Sequence, residues 1–323
     1  MRKFLTFIGL LCLCFLGCKE DFDIFIPDDP TTPIPGPISG SISNFFDTVF
    51  DEGHSFTINA EEFTTLRSPD NNYFEIPANS FIDNSGNVVA GEIKVDIIEI
   101  SSKGDMILHN VPTESDGRLI ESMGAFHIQA TKDDEPLQLS DNVSISIHIP
   151  IQGEWNDEME LFYGERLNDG SFNWIEADGN PDQQGNVWTG EVFDTLTQSW
   201  GLTYYLQSNQ LNWINCDDFV ETQELGTIHL KLPESYSDTN TVAFIVFEDM
   251  NAIMGMNWST EVGQFVENYV PMNSDVQILV IADGGDDQFY FSNFKTIFHS
   301  DSTIELSPEK APLGDIVELI SGL

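Results

Sequence analysis

Positive charge is what this chain of 323 residues has least of. It carries 12 Lys and Arg against 54 Asp and Glu, a formal net charge of −42. Neutralising a phosphate backbone takes clustered cations, so this balance excludes nucleic acid as a partner. It also argues against unassisted docking on anionic lipid. Cysteine is scarce too: Cys12, Cys14, Cys18 and, far downstream, Cys216. The body of the chain therefore has no disulfide framework and must hold together by core packing. Cys216, in the run Trp213-Ile214-Asn215-Cys216, reads as a small buried hydrophobe rather than a nucleophile. The longest apolar stretch at the N-terminus, residues 4–16, is too short to cross a bilayer comfortably.

Catalytic signatures are missing as well. The chain contains no GxSxG, HExxH, CxxC or GxxxxGK[ST] motif. His54, His109, His127, His148, His229 and His299 are scattered, and no two stand at metal-ligand spacing. No enzymatic activity and no cofactor are expected. Two acid-rich loops are the places where a calcium ion would sit: Asp83 with its neighbours to Asn87, and Asp283, Asp286 and Asp287 around two glycines. Neither follows the EF-hand pattern, and turn chemistry accounts for both equally well.

What the chain does have is core-forming material. Hydrophobic residues make up 41% and aromatics 11%, which rules against a disordered acidic polymer. The length suits about two domains of roughly 100–200 residues each. Arg2 and Lys3 precede the apolar residues 4–16, the layout of a signal peptide. The segment ends Phe15-Leu16-Gly17-Cys18, which resembles a bacterial lipobox. That likeness implies removal of residues 1–17, acylation of the Cys18 thiol (diacylglyceryl, palmitate-type chains) and a lipid anchor in the outer membrane. A secretory signal cut elsewhere, or an uncleaved anchor, is the alternative. Lys19, Glu20 and Asp21 follow directly and resemble the export signal of Bacteroidetes surface lipoproteins, which implies display on the cell surface. Residues 18–42 hold five prolines, Pro27, Pro30, Pro33, Pro35 and Pro37, among Thr, Gly, Ser and Asp. Such a segment is expected as an extended stalk.

From residue 43 the pattern is that of an all-β protein. In Ser144-Ile145-Ser146-Ile147-His148-Ile149 three isoleucines alternate with polar residues, as on a half-buried strand. Residues 92–97, 125–130, 160–163, 173–176, 190–193 and 200–205 supply further strands with turn residues between them. The rhythm predicts a first antiparallel β-sandwich over 43–208. A second, over 209–310, is predicted from strands at 226–232, 242–248, 263–269, 276–282, 288–292 and 302–306. Residues 311–323 form a tail or short helix, with Ile316, Leu319 and Ile320 at helical spacing.

Residues 74–150 resemble a module of Bacteroidetes surface lipoproteins. Glu75-Ile76-Pro77-Ala78-Asn79-Ser80-Phe81, Gly91-Glu92-Ile93, Lys103-Gly104-Asp105-Met106-Ile107 and Asn110-Val111-Pro112-Thr113 carry the likeness. From Asn212-Trp213-Ile214-Asn215-Cys216-Asp217 onward the chain is similar to the partner module of those proteins, with an Ig-like or transthyretin-like plan. The resemblance implies architecture and location and brings no catalytic residues.

Three functions follow as expectations. The first is an interaction module at the cell surface, held to the membrane by Cys18 and binding an outer-membrane protein or an extracellular glycan. The second is glycan capture through loop aromatics, Trp155 and Trp258, which lie in polar surroundings. Trp174, Trp188, Trp200 and Trp213 are expected to pack inside. The third is a hydrolase with a dispersed acidic site.

Overall fold

The computed structural model describes residues 40–151, 155–167, 170–177, 185–194, 199–222 and 224–323. Cys18, Lys19, Glu20, Asp21 and the proline-rich segment lie outside the described residues. Antiparallel strands dominate, and the β-sandwich class expected from the alternation is what the chain adopts.

The chain enters through helix α1 (Ile42–Val49) and then β1 (His54–Asn59), β2 (Thr64–Arg67), β3 (Tyr73–Ile76), β4 (Phe81–Ile82) and β5 (Glu92–Ile100). After α2 (Lys103–Leu108) come β6 (Glu114–Ser115), β7 (Arg118–Lys132), β8 (Glu135–Pro136), β9 (Gln138–Leu139) and β10 (Ile145–Pro150). Next are β11 (Glu160–Arg166), β12 (Phe172–Glu176), β13 (Gly185–Asp194), β14 (Ser199–Ser208) and β15 (Asn212–Phe219). The last third runs β16 (Leu225–Lys231), β17 (Thr241–Phe247), β18 (Ile253–Gly255), β19 (Asn257–Ser259), β20 (Gln264–Pro271) and β21 (Ser274–Asp283). It closes with β22 (Phe289–Phe298), β23 (Ser302–Glu305), β24 (Glu309–Ala311) and α3 (Leu313–Ser321).

These strands build four main sheets. Sheet I has the order β13-β14-β10-β3-β2, and sheet II the order β1-β5-β7-β15-β11-β12. Sheet III runs β18-β17-β21-β22-β24, and sheet IV runs β19-β20-β16-β23, in which β16 and β23 are parallel. Three hydrophobic cores lie between them. Ile145, Ile147 and Tyr204 of sheet I pack with Ile97, Ile128 and Ile214 of sheet II. Phe162, Trp174 and Ile120 from the other face of sheet II pack with Phe244, Leu279 and Ile281 of sheet III, together with residues of all three helices. Ile245 and Ile278, from the far face of sheet III, pack with Leu230 and Phe265 of sheet IV.

Sequence explains why the middle sheets differ from the outer one. Sheet I covers one face only, so β10 alternates, with Ile145, Ile147 and Ile149 buried. Sheet III lies between two cores, so its strands are apolar on both faces: residues 243–247 of β17 and 278–282 of β21 are buried without a break. The boundary expected near residue 209 falls just before β15. That strand is hydrogen-bonded between β7 and β11, inside sheet II. Two short helices, α1 and α2, stand within the span expected as the first β-sandwich, α1 starting at the last residue assigned to the linker. Ile42, Phe45, Phe46 and Val49 of α1 are spaced for one helical face, and all four pack into the middle core. Ser102 caps α2 through a reciprocal capping box with Asp105. Gly104 of α2 meets α3 so closely that a Cβ would stand 2.4 Å from the Ile320 carbonyl oxygen. At the C-terminus, α3 buries Ile316 and Ile320.

Candidate functional site

The face of sheet II that meets the middle core is not fully covered, and a cleft of about 720 Å³ opens beside that core. Its floor is a run of neighbouring strands: Ser55 on β1, Lys94 and Asp96 on β5, His127 and Gln129 on β7, Arg166 on β11 and Trp213 on β15. Period-two alternation puts these residues on the face opposite Val95, Ile97 and Ile128, which fill the core with sheet I. Phe46 and Asp47 of α1 form one wall, with Phe50 and Glu52 just beyond it. Leu108, His109 and Asn110, at the end of α2, form another.

The groups in the cleft are held in place. Lys94 Nζ lies 2.9 Å from Asp96 Oδ1, and Ser55 donates its hydroxyl proton to the same carboxylate. That pairing raises the Lys94 pKa above the ordinary ammonium value, the hydrogen bond to Asp96 being the main cause. The His127 ring stacks obliquely on Trp213, with centroids 4.8 Å apart. Burial pushes the His127 pKa below the usual imidazole value, which keeps it neutral at pH 7. Arg166 donates to the His109 carbonyl oxygen at 2.9 Å and leans over the Phe172 ring; burial lowers its pKa. His109 Nδ1 sits 3.0 Å from the Asp105 carbonyl oxygen. A carbonyl only accepts, so Nδ1 carries a proton and donates to it; the ring's second nitrogen is Nε2. That nitrogen is buried with no partner among the described residues. The cleft thus presents two cations, two imidazole rings, acidic and amide groups, and an indole wall. Such a set can orient a polar small molecule by hydrogen bonds. Ser55 donates to Asp96 and not to an imidazole, so it forms no nucleophile–base pair of the hydrolase kind.

The residues singled out from the sequence are dispersed. Trp155 is 51% exposed, whereas Trp258 is half-buried and packs edge-on against Phe265 at 5.1 Å. Trp258 lies on β19 of sheet IV and Trp155 ahead of β11 of sheet II, and neither lines the cleft on sheet II. Of the tryptophans expected to pack, Trp174 is fully buried and Trp213 packs beside it. Trp188 and Trp200 are exposed, at 45% and 68%, which corrects that expectation. Trp188 alternates with Val187 and faces away from the core; Trp200 shares the parity of Tyr204 and Leu206 but lies past the end of the core.

Asp83 spends Oδ1 on the backbone N–H groups of Ser85 and Asn87, at 2.8 and 2.9 Å. These bonds close the turn and, with the Asn87 bonds the main cause, lower its pKa. Asp283 is buried and accepts from Gly285 N–H at 2.7 Å, Asn44 Nδ2 at 2.9 Å and Ser41 N–H at 3.2 Å, tying the start of α1 to β21. Asp286 and Asp287 turn the chain at positive φ and line a smaller hollow of about 390 Å³ with Asp47. Among the described residues no group of three or more His, Cys, Asp or Glu side chains is arranged to hold a metal ion. Cys216 is fully buried, and its thiol is pushed well above the ordinary range by burial and by Asp217.

One pair of acids escaped sequence reasoning. Glu114 Oε2 accepts from Gly255 N–H at 2.8 Å, and Glu267, on β20, is close enough to repel it. Burial first, then Glu267, push the Glu114 carboxyl up to about 8. Neither residue lines the cleft. A carboxyl whose folded pKa is raised contributes stability that is present below its unfolded pKa of 4.5 and is lost as pH rises through about 8. Glu114→Gln, a permanent stand-in for the neutral acid, should therefore match the wild type near pH 5. At pH 9 it should be more stable by about 1–2 kcal/mol, a range discounted for partial solvent contact. Thermal melts across that range check it; an equal fall in both proteins would contradict the pairing.

No family model matches the chain, and no curated protein and no solved structure is similar to it at a significant level.

Proposed function

We propose that the chain is a lipid-anchored, surface-displayed binding protein without enzymatic activity. In this reading Cys18 carries the acyl chains in the outer membrane. Lys19, Glu20 and Asp21 direct export, and the proline-rich residues before 43 space the folded unit from the headgroups. The signal-like N-terminus and the likeness to Bacteroidetes surface lipoproteins support this half of the reading. The observation that carries the binding half is the cleft on sheet II, where His109 Nε2, His127, Arg166, Lys94 and Trp213 converge. Both imidazoles lie beside an aromatic wall and two of the chain's 12 cations. That combination suits a small polar ligand with an acidic group.

The test is a thermal-shift survey of amino acids, short peptides, monosaccharides and small carboxylates. At least one class should raise the melting temperature of the wild type and leave that of His127→Ala unmoved. A survey in which no compound shifts the wild type would overturn the cleft as the site. Glycan capture is the second reading, and the exposure of Trp155, Trp188 and Trp200 favours it.

A further inference from the structure

The outward face of sheet I carries an unbroken cross-strand row. Trp188 on β13 stands opposite Tyr205 on β14, Tyr205 opposite His148 on β10, His148 opposite Tyr73 on β3, and Tyr73 opposite Arg67 on β2. All five strands contribute one residue. Three of the four neighbouring pairs make ring contacts: Trp188 and Tyr205 are parallel to within 4° with centroids 5.5 Å apart, His148 lies 4.5 Å from Tyr205, and the Arg67 guanidinium lies 5.3 Å from the Tyr73 centroid. Two residues along each strand, on the same face, runs a second row: Asn186, Gln207, Ser146, Glu75 and Thr65. Every member of that row bears an amide, hydroxyl or carboxylate.

We infer that this face binds a neutral oligosaccharide, stacked on Trp188 and held through its hydroxyls by the polar row. The inference rests on the glycan-capture reading and moves its site from Trp155 and Trp258 to sheet I. A pyranose ring has one apolar C–H face and a rim of hydroxyls. It therefore needs a flat aromatic surface with mixed donors and acceptors alongside, the pairing of rows seen here. Trp188 sits on the terminal strand of the sheet, with Tyr205 behind it. Its remaining surface is open at the sheet edge, and the ring is pre-oriented by the stack. Gly190 makes that stack possible: a Cβ there would stand 2.9 Å from Tyr205 Cε2. Cross-strand aromatic pairs also stabilise sheets. That role alone does not call for a large, 45% exposed indole on an edge strand beside a continuous polar row. The net charge of −42 selects against polyanions and so for an uncharged sugar.

The test is affinity electrophoresis of the full chain in non-ionic detergent, through gels containing a soluble β-glucan, xylan, mannan or galactan, with polygalacturonate as the anionic contrast. At least one neutral polysaccharide should retard the wild type. Trp188→Ala, and separately Tyr73→Ala on another strand, should bind it at least tenfold more weakly while melting near the wild-type temperature. Trp155→Ala and Trp258→Ala should bind as the wild type does. Equal retardation of the wild type and both sheet I variants would overturn the site and leave glycan capture standing. Retardation by polygalacturonate alone, or by no polysaccharide, would overturn both.

Discussion

Cys18→Ala should abolish incorporation of a fatty-acid label and remove the protein from the outer-membrane fraction. Each buried methylene contributes about 0.8 kcal/mol, so one acyl chain holds a protein only marginally and two or three hold it firmly. Residues 4–16 are short for a span. Among the described residues no helix is long and apolar enough to cross a membrane. The net charge of −42 opposes adsorption to anionic headgroups. Loss of the label is therefore expected to be complete, not graded. Persistence of the label in the variant would place lipidation at some other residue.

Trp174→Ala should produce the largest loss of stability of any single substitution proposed for the folded unit. The indole is fully buried in the middle core, edge-on to Phe172 at 5.0 Å and to Trp213 at 6.4 Å. Its Nε1–H donates to the Pro112 carbonyl oxygen at 3.0 Å. Truncating a buried Trp costs about 3–5 kcal/mol, and the carbonyl left without its donor adds to that. At roughly 2–4 °C per kcal/mol for a large domain, the midpoint should fall by about 6–20 °C. The form of the transition matters as much as its position. The middle core joins sheets II and III, and the described residues belong to one compact unit. Wild type and variant should therefore each unfold in one cooperative step. Two separate steps, only one of them moved by the substitution, would show that the middle core does not couple the sheets.

Most strands were legible in the sequence because burial on one face writes a period of two. Ile145, Ile147 and Ile149 gave both the strand and its inner face. The middle core was written there too, in a different form. The unbroken apolar runs in β17 and β21 can lie only in a sheet covered on both sides, so a sheet stacked between two others could have been read from them. The place of β15 could not. Its partners, β7 and β11, lie far from it along the chain, and the residues Asn212–Phe219 carry no mark of which strands they will join. Trp188 was misread as core because tryptophan tends to be buried. The alternation of Val187, Trp188 and Thr189 already points the indole away from Val187, which packs inward. The cleft was beyond sequence reasoning, since its lining is gathered from residues 43 to 213 by long-range pairing. Glu114 and Glu267 were hidden for the same reason, among 54 acids that look alike in one dimension.

The central claim, a protein anchored through Cys18, is tested most directly by the intact mass of the chain purified from membranes of its native cells. A chain beginning at Cys18 and carrying two or three acyl groups is the expected result. A chain that retains residues 1–17, or that begins elsewhere without lipid, would contradict it.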